Sequence, residues 1–348
     1  MESSSSSMNN CPKSIEEEVY MSGPKSHNKF EELISTLPRG NGLISGLYVY
    51  QYEGFWHNSF FLEGLLSAQE HFKPKPNDTI LSSVPKSGTT WLKALCFAIV
   101  TRSHYDDSTN PLLTTMPHEC VFNMEGTLAH DSDLRNDNIP LVSTHVPYTS
   151  LPKSIINSSC KIIYICRDPK DAFVSLWHFV RKASPKGVES CCKEPICLED
   201  AFELFCEGIS IFGPYWDNVL GYWKASLESP EKILFLKYED LKNETLFYVK
   251  KMAEFMGHPF SVEEEVQGMA QKIVDLCSFE NIRNLEVNKN GSVSNHRHAL
   301  FQNSSYFRKG EVGDWKNYLT PMMASRLDHI TEQKLGSSGL TFNVPSNA

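Results

Sequence analysis

Short, continuous apolar runs alternate with segments of helical periodicity along most of this chain. The apolar runs cover residues 79–84 (TILSSV), 141–145, 161–166 (KIIYIC) and 232–236 (KILFL). Strands that are apolar throughout are buried on both faces, which is typical of a parallel sheet covered by helices on either side. The pattern therefore predicts an α/β fold, with a single domain built on a central parallel β-sheet flanked by helices.

The segments around these runs carry the predicted helices, because their apolar residues recur at helical spacing. We expect helices over residues 28–37, 59–72, 89–100, 170–181, 201–227, 245–256, 263–275, 279–287 and 321–335. Gly257 is placed to cap one of them. The aromatic stretch 48–56 is predicted to be extended. Residues 1–27 are rich in serine and asparagine and are predicted to form a disordered tail, which leaves 28–348 as the folded domain.

The residues that follow each strand are the first candidates for function, because ligands of such sheets bind at the carboxyl ends of the strands. The first strand runs into the sequence PKSGTTW, residues 85–91, and then into a helix. Gly88 lets the backbone approach an anion, the helix N-terminus offers amides, and Lys86 adds a full charge. Thr89 and Thr90 add hydroxyls. This segment predicts a P-loop-like phosphate-binding loop, and a plain strand–turn–helix is the simpler alternative.

A nucleotide-hydrolysing enzyme would also need a carboxylate for magnesium at a neighbouring strand end. The strand 161–166 ends instead in Arg167, and the strand 232–236 leads to Tyr238. The loop lysine also precedes the glycine, unlike the order G-x-x-x-x-G-K-[ST]. The sequence therefore favours an anionic cofactor held by cations and amides without a metal, and a P-loop kinase is disfavoured.

Further basic residues could hold a second phosphate. Arg167 lies at a strand end, Ser175 lies eight residues later in the following helix, and Arg308-Lys309-Gly310 forms a glycine-bounded basic cluster. Taken singly, each has an ordinary alternative: a surface ion pair, a helix-facing hydroxyl and a solvated charged face.

His145 lies at the end of the predicted strand 141–145, in the sequence STHVP, and is a candidate general base. An imidazole suits the removal of a proton from a hydroxyl at neutral pH. A structural role is the alternative, since a single histidine is more often structural.

Composition excludes several classes of protein. The net charge is −9, from 33 basic and 42 acidic residues, which argues against a nucleic-acid-binding protein. No apolar stretch approaches the ~20 residues that a bilayer requires, and the N-terminus lacks the pattern of a secretory signal. Ten cysteines without C-x-x-C spacing are predicted to be reduced thiols. These features predict a cytoplasmic protein.

Six motifs occur together and in order: PKSGTTW, STHVPY, YICRDPKDAFVSLWHF, LKYED, LCSFENI and FRKGEVGDWKNYLT. In this combination the chain resembles the cytosolic sulfotransferase family, and most closely its plant members, including the flavonol-type enzymes. The resemblance runs from about residue 52 to the C-terminal GSSGLTF.

That resemblance implies that the donor is 3′-phosphoadenylyl sulfate (PAPS) and that the product is 3′-phosphoadenosine 5′-phosphate (PAP). It implies that the loop from Lys86 through Ser87, Gly88, Thr89 and Thr90 to Trp91 holds the 5′-phosphosulfate, with Trp91 against the adenine. The 3′-phosphate would be held by Arg167, Ser175, Arg308, Lys309 and Gly310. Tyr238 would touch the adenosine and Phe279 the other face of the purine. His145 would be the base, and Lys86 would stabilise the leaving phosphate.

Two departures from the family pattern bear on mechanism and assembly. Many animal members carry a lysine two residues before the histidine, where this chain has Ser143. The segment KNYLTPMMAS lacks the valine and glutamate of the animal dimer motif. A monomer is therefore expected, and help from a second lysine at that position is not.

The acceptor is expected to be a small plant metabolite with a hydroxyl group. A flavonol or another phenol comes first, and a hydroxyjasmonate or a brassinosteroid is the alternative. The aromatic residues expected to line its pocket are Tyr50, Tyr52, Phe55, Trp56, Tyr148 and Tyr306. A nucleotide-binding protein that has lost catalysis is a further alternative, against which the presence of both Lys86 and His145 argues.

Overall fold

The central sheet has five parallel strands. The computed structural model describes residues 28–44, 47–128, 139–182, 184–185, 195–293 and 299–342. The sheet order is β5-β6-β4-β7-β9, and its strands are β4 (Thr79–Ser83), β5 (Phe122–Asn123), β6 (Leu141–Thr144), β7 (Lys161–Cys166) and β9 (Ile233–Lys237). The register aligns Ile80 with Val142 on one side and with Ile162 on the other. The predicted parallel sheet is confirmed, and the short edge strand β5 was missed because two residues carry no pattern.

The other strands form two small antiparallel sheets. One joins β1 (Arg39–Asn41), β2 (Tyr48–Tyr52) and β3 (Phe55–His57), and the other joins β8 (Ser184–Pro185), β10 (Ser292–Val293) and β11 (Ala299–Gln302). The prediction of one extended stretch over 48–56 was wrong in detail. Glu53 and Gly54 both have positive φ angles, of 51° and 87°, and this tight turn folds the stretch into a hairpin.

The α-helices of the described residues, in chain order, are α1 (Asn28–Thr36), α2 (Ser59–His71), α3 (Thr89–Thr101), α4 (Pro117–Cys120), α5 (Met124–Leu128), α6 (Lys153–Ile156), α7 (Pro169–Val180), α8 (Leu198–Cys206), α9 (Tyr215–Glu228), α10 (Tyr238–Asn243), α11 (Thr245–Phe255), α12 (Val262–Val266), α13 (Met269–Leu276), α14 (Phe279–Asn284), α15 (Glu286–Asn290) and α16 (Pro321–Leu335). Short 3₁₀ turns cover Pro111–Leu113, Tyr148–Ser150, Asn303–Tyr306, Asp314–Asn317 and Gly336–Ser338. None of these helices is long and apolar enough to cross a membrane.

Alternate residues of the sheet face two separate hydrophobic cores. Ile80 and Tyr164 pack with residues of α2, α7 and α9. Leu81 and Ile163 face the other way and pack with residues of α3, α11 and α13. Both faces of the sheet are therefore covered by helices, as the continuous apolar runs predicted.

Three predicted helices are each broken into two. The pattern over 201–227 is interrupted between α8 and α9, where Gly208 has a φ of 84° and Pro214 is the N-cap residue of the second helix. The pattern over 263–275 is broken at Gly268, which has a φ of 67°. The pattern over 279–287 is broken at Leu285, whose backbone is extended. Helical spacing persists across the first of these breaks because α8 and α9 pack on the same core. The predicted tail, 1–27, lies outside the described residues.

Candidate active site

A cavity of about 650 Å³ opens at the carboxyl ends of the strands. Six basic side chains line it, and no carboxylate does among the residues that the structure describes. These basic residues are Lys86, Lys93, Arg167, Lys242, Arg308 and Lys309. We call the part formed by residues 85–91, Arg167, Arg308 and Lys309 the basic wall. The apolar wall is formed by Ile44, Leu47, Phe60, Phe61, Ile211 and Phe212. The charge of the basic wall suits an anionic ligand.

The loop between β4 and α3 forms the centre of the basic wall. Gly88 caps α3 with a φ of 110°, and a β-carbon there would lie 2.9 Å from the ring of Tyr238. Only glycine meets both constraints, because other residues strain at that φ and would collide with the ring. The hydroxyl of Thr89 is 2.6 Å from that of Ser83, which fixes the helix to the end of its strand. The first amides of α3 therefore point to the cavity at a fixed position.

Lys86 is held in the cavity by aromatic rings. Its φ is 70°, and its Nζ lies 4.2 Å from the ring centre of Phe179 and 5.4 Å from that of Tyr306. Burial, followed by the charges of Arg167, Arg308 and Lys182, lowers the pKa of Lys86 to about 7. A bound anion would offset the effect of these cations, so the charge of Lys86 is stabilised by the ligand it would hold.

Arg167, Arg308 and Lys309 meet at a second point of the basic wall. Arg167 lies 4.5 Å above the ring of Tyr238 and 3.5 Å from Asp171. Arg308 and Lys309 lie 2.5 Å and 2.6 Å from the carboxylate of Asp314. The carboxylates of both Asp171 and Asp314 are buried, so these are not the surface ion pair and the solvated charged face considered above.

The same cluster keeps unused donors. The buried Nε–H groups of Arg167 and Arg308 have no hydrogen-bond partner among the described residues. Buried N–H groups are normally paired, so these two fit an anion such as a phosphate. Ser175, from α7, lines the cavity with them.

Tyr238, Trp91, Phe279 and Gly310 form the aromatic part of the cavity. Tyr238 donates a hydrogen bond from its hydroxyl to the carbonyl of Gly310, at 3.1 Å, and its ring lies 5.6 Å from that of Trp91. A β-carbon on Gly310 would come within 2.6 Å of the Phe279 ring. These contacts leave flat apolar surface beside the cations, which suits a purine.

His145 lies just beyond β6 and lines the cavity. Its Nδ1–H donates to the carbonyl of Ser83 at 2.7 Å, because a carbonyl can only accept. In the neutral ring Nε2 is therefore the accepting nitrogen. Burial, with smaller contributions from Lys93 and Lys86, lowers the pKa of His145 to about 4, so the ring is neutral at pH 7. A neutral imidazole with a fixed tautomer can take a proton.

A buried carboxyl group holds the backbone of His145. Glu125 of α5 accepts hydrogen bonds from the amide of His145 and the hydroxyl of Thr144, both at 2.8 Å. Burial raises the pKa of Glu125. Ser143, in the position where many animal members have lysine, donates its hydroxyl to the carbonyl of Phe122 at 2.9 Å and stays within the sheet.

The structure brings the sequence-predicted residues to one cavity, with one exception. Lys86, Gly88, Thr89, Thr90, Trp91, His145, Arg167, Ser175, Tyr238, Phe279, Arg308, Lys309 and Gly310 all line it. Ser87 is fully buried and is absent from the described lining.

The prediction for the acceptor pocket was largely wrong. Of its six aromatic residues, only Tyr306 lines the described cavity. Tyr52 bonds to Gln69, and Tyr148 packs against Tyr222. Tyr52 is directed elsewhere by the hairpin, and Tyr148 by the 3₁₀ turn Tyr148–Ser150. The residues Phe60, Phe61, Ile211 and Phe212 line the cavity instead, and their apolar patterns are those of any core helix or loop.

Lys93, His118 and Lys242 were missed as well. Lys93 follows the loop by one helical turn, a spacing that puts it on the side of Thr89 and Thr90 and that could have indicated it. His118 had no motif around it. Carboxylates that follow the strands, such as Glu239, are not part of the described lining. No group of His, Cys, Asp and Glu side chains in the described part of the chain could hold a metal ion.

Comparison with known proteins agrees with this geometry. The family model for the sulfotransferase domain matches residues 76–339. Cytosolic sulfotransferase 16 of Arabidopsis thaliana is 49% identical over 319 residues, which cover 91% of this chain and 93% of that protein. Flavonol 3-sulfotransferase of Flaveria bidentis is 48% identical over 313 residues, which cover 89% of this chain and 99% of that protein.

A solved structure extends the agreement to three dimensions. A mouse sulfotransferase crystallised with PAP matches with a TM-score of 0.61 and 26% identity, covering 83% of this chain and 95% of the mouse chain. The family model and these relatives each match most of the chain, and the chain belongs to the sulfotransferase family.

Proposed function

We propose that the protein transfers the sulfuryl group of PAPS to a hydroxyl of a flavonol or a similar phenol. The observation that carries the donor assignment is the charge of the described cavity, which six cations and no carboxylate line, four of these cations in the basic wall. The mouse relative crystallised with PAP supports the same donor.

The residues fit this donor at both of its phosphate groups. We assign the 5′-phosphosulfate to the first amides of α3, to Gly88 and to the side chains of Lys86, Thr89 and Thr90. We assign the 3′-phosphate to Ser175, Lys309, Gly310 and the unpaired Nε–H groups of Arg167 and Arg308. Trp91, Tyr238 and Phe279 would enclose the adenosine.

In the proposed reaction, bound PAPS supplies the sulfuryl group. His145 takes the acceptor proton at Nε2, since its Nδ1–H is held by Ser83. Lys86 and the loop amides neutralise the negative charge that develops on the bridging oxygen. The carboxyl of Glu125 holds the backbone of His145 in place. No step requires a metal, and we expect the activity to be the same in excess EDTA as with added magnesium.

The apolar wall supports a flat, uncharged acceptor. Phe60, Phe61 and Phe212 offer aromatic surface close to His145, whose ring lies 5.4 Å from that of Phe212. A hydroxyjasmonate carries a carboxylate, and the apolar wall has no basic side chain to pair with it. The Flaveria relative named as a flavonol 3-sulfotransferase supports a flavonol, while a brassinosteroid remains the bulkier alternative.

One experiment tests donor and acceptor together. The protein is incubated with ³⁵S-labelled PAPS and, separately, with a flavonol, a 12-hydroxyjasmonate and a brassinosteroid. The proposal is supported if the flavonol has the highest kcat/KM. A higher kcat/KM for either of the other two compounds would make that compound the proposed acceptor instead. PAP binding without transfer to any acceptor, including those of a plant metabolite extract, would favour the alternative of a lapsed enzyme.

The cellular setting is part of the same proposal. Relatives named as cytosolic sulfotransferases support a cytoplasmic location. We also propose a monomer, to be measured by light scattering.

A further inference from the structure

A buried lysine lies beside the reaction site without a role in the mechanism above. Lys93 is 1% exposed and lines the cavity one helical turn after Thr89. Its Nζ lies 3.2 Å from Nδ1 of His118, and Nε2 of His118 lies 2.9 Å from Oγ1 of Thr90. The three side chains connect a buried amine to a hydroxyl at the start of α3.

The charge of the lysine decides the direction of these hydrogen bonds. An ammonium group has only donors, so Nδ1 of His118 must accept from Lys93. The neutral ring then carries its proton on Nε2, which donates to Thr90. The hydroxyl of Thr90 has a single proton, and this proton is left for another acceptor. Thr90 lines the cavity, so an oxygen of a bound anion can be that acceptor.

Lys93 stays mostly charged at neutral pH, although its surroundings lower its pKa. The groups that face it are His118 and Cys120 of α4, Glu125 of α5 and His145 after β6. Burial lowers the pKa of Lys93 to about 8, and the nearby carboxyl of Glu125 opposes the decrease. Burial also raises the pKa of Cys120 to about 12, so its thiol is neutral.

We propose that Lys93 and His118 are positioning residues that orient the hydroxyl of Thr90 as a donor to the 5′-phosphate of the sulfuryl donor. This inference rests on the proposed function. It also gives the site a second amine, supplied by α3 rather than by β6, where Ser143 stands. Without the ammonium, His118 can take the other tautomer and accept from Thr90. The lone pairs of the hydroxyl would then face the phosphate.

The test is calorimetric binding of PAP, which carries the 5′-phosphate and needs no acceptor. Lys93→Met and Thr90→Val should each weaken PAP binding about 10- to 100-fold, the range expected for one hydrogen bond to a charged group. The double variant should bind PAP with about the affinity of the single variant that binds less tightly, because both changes remove the same hydrogen bond.

Two variants of His118 separate orientation from packing. His118→Gln places an amide donor near the position of Nε2 and should keep PAP binding within about threefold of wild type. His118→Asn places its amide near Nδ1 and should weaken binding as Lys93→Met does. The comparison of these two variants tests whether His118 orients Thr90 even if Lys93→Met fails to fold.

Lys232→Met is the matched control, because Lys232 is a partly buried lysine that bonds to the carbonyl of Ser158 at the other end of the sheet. Wild-type binding of PAP by Lys93→Met would overturn the inference, and so would additive effects in the double variant or equal effects of the two His118 variants. If the wild-type protein itself does not bind PAP, the proposed function fails instead.

Discussion

The basic and apolar walls of the cavity are built in different ways. The basic wall consists mainly of residues that come directly after parallel strands, such as Lys86 after β4 and Arg167 after β7. The apolar wall comes from distant pieces: the segment before β2, the start of α2 and the connection between α8 and α9. One wall is therefore fixed by the sheet, and the other depends on how separate segments pack.

Under the proposed function, this difference implies that the donor and the acceptor bind to separable parts of the protein. Polar groups at strand ends keep their positions as long as the sheet is intact. Apolar groups on loops and hairpins are free to differ without loss of the sheet. A change in one wall should therefore alter the binding of one substrate. Only residues between the two walls, such as His145, should alter kcat.

The largest effect is expected at that junction. His145→Ala should lower kcat by about 10²- to 10⁴-fold, the usual contribution of a general base. PAP affinity should stay close to that of wild type, because the residue lies beside the phosphate loop and is not part of it. Steady-state kinetics and calorimetry measure the two effects. Turnover within tenfold of wild type would remove His145 from the mechanism.

The next effect concerns the shape of the basic wall. Gly88→Ala should weaken PAP binding by about 100-fold, since a β-carbon would collide with Tyr238 and strain the loop. Gly257→Ala is the matched control, because Gly257 also has a positive φ, 81°, but a β-carbon there meets nothing within 4 Å. It should cost stability alone, about 1 kcal/mol. Equal PAP affinities of the two variants would contradict the assignment of the loop.

Selectivity for the 3′-phosphate should follow from the second cluster. PAP should bind far more tightly than AMP, and Arg308→Ala should narrow this gap by about 10- to 100-fold while sparing AMP. Arg326→Ala, which removes a surface ion pair with Glu203, should leave both affinities unchanged. Equal affinity of the wild-type protein for PAP and AMP would refute the donor assignment.

The pH dependence should also distinguish the free basic wall from the occupied one. The lowered pKa of Lys86, about 7, means that its charge is lost as the pH rises through 7. We expect kcat/KM for PAPS to fall above pH 7, by up to about tenfold per unit, while kcat changes less because the bound anion holds the proton on Lys86. His145, with a pKa of about 4, should stay neutral over this range. If kcat/KM of Lys86→Met for PAPS still falls above pH 7 as in wild type, another group causes the decrease.

The smallest effect is expected at the apolar wall. Ile211→Ala should raise the acceptor KM by about tenfold, because it removes part of one apolar contact. The KM for PAPS should not change. A larger change in the KM for PAPS than in the KM for the acceptor would mean that the two walls do not act separately.

The sequence predicted the strand-end part of the basic wall because each of its residues follows a strand, whereas Arg308 and Lys309 follow no strand of the parallel sheet. Gly88, Lys86 and Arg167 follow apolar strands directly, and parallel strands bring their carboxyl ends to one edge. The apolar wall was missed because helical and extended patterns indicate that residues such as Phe212 and Tyr50 are buried. They do not indicate which residues or which cavity those side chains contact. The broken helices at Gly208 and Gly268 were missed for a related reason, since apolar spacing continues through a turn.

The carboxylates behind the basic wall bear on how the reaction cycle ends. Asp314 holds Arg308 and Lys309, and Asp171 accepts from the amides of Gly313 and Trp315. In the proposed reaction, the product PAP would keep both of its phosphates and with them most of the contacts assigned above. A buried carboxylate that competes for the same cations offsets part of that attraction. If the proposed donor site is right, Asp314 would therefore favour departure of the spent nucleotide and so help turnover.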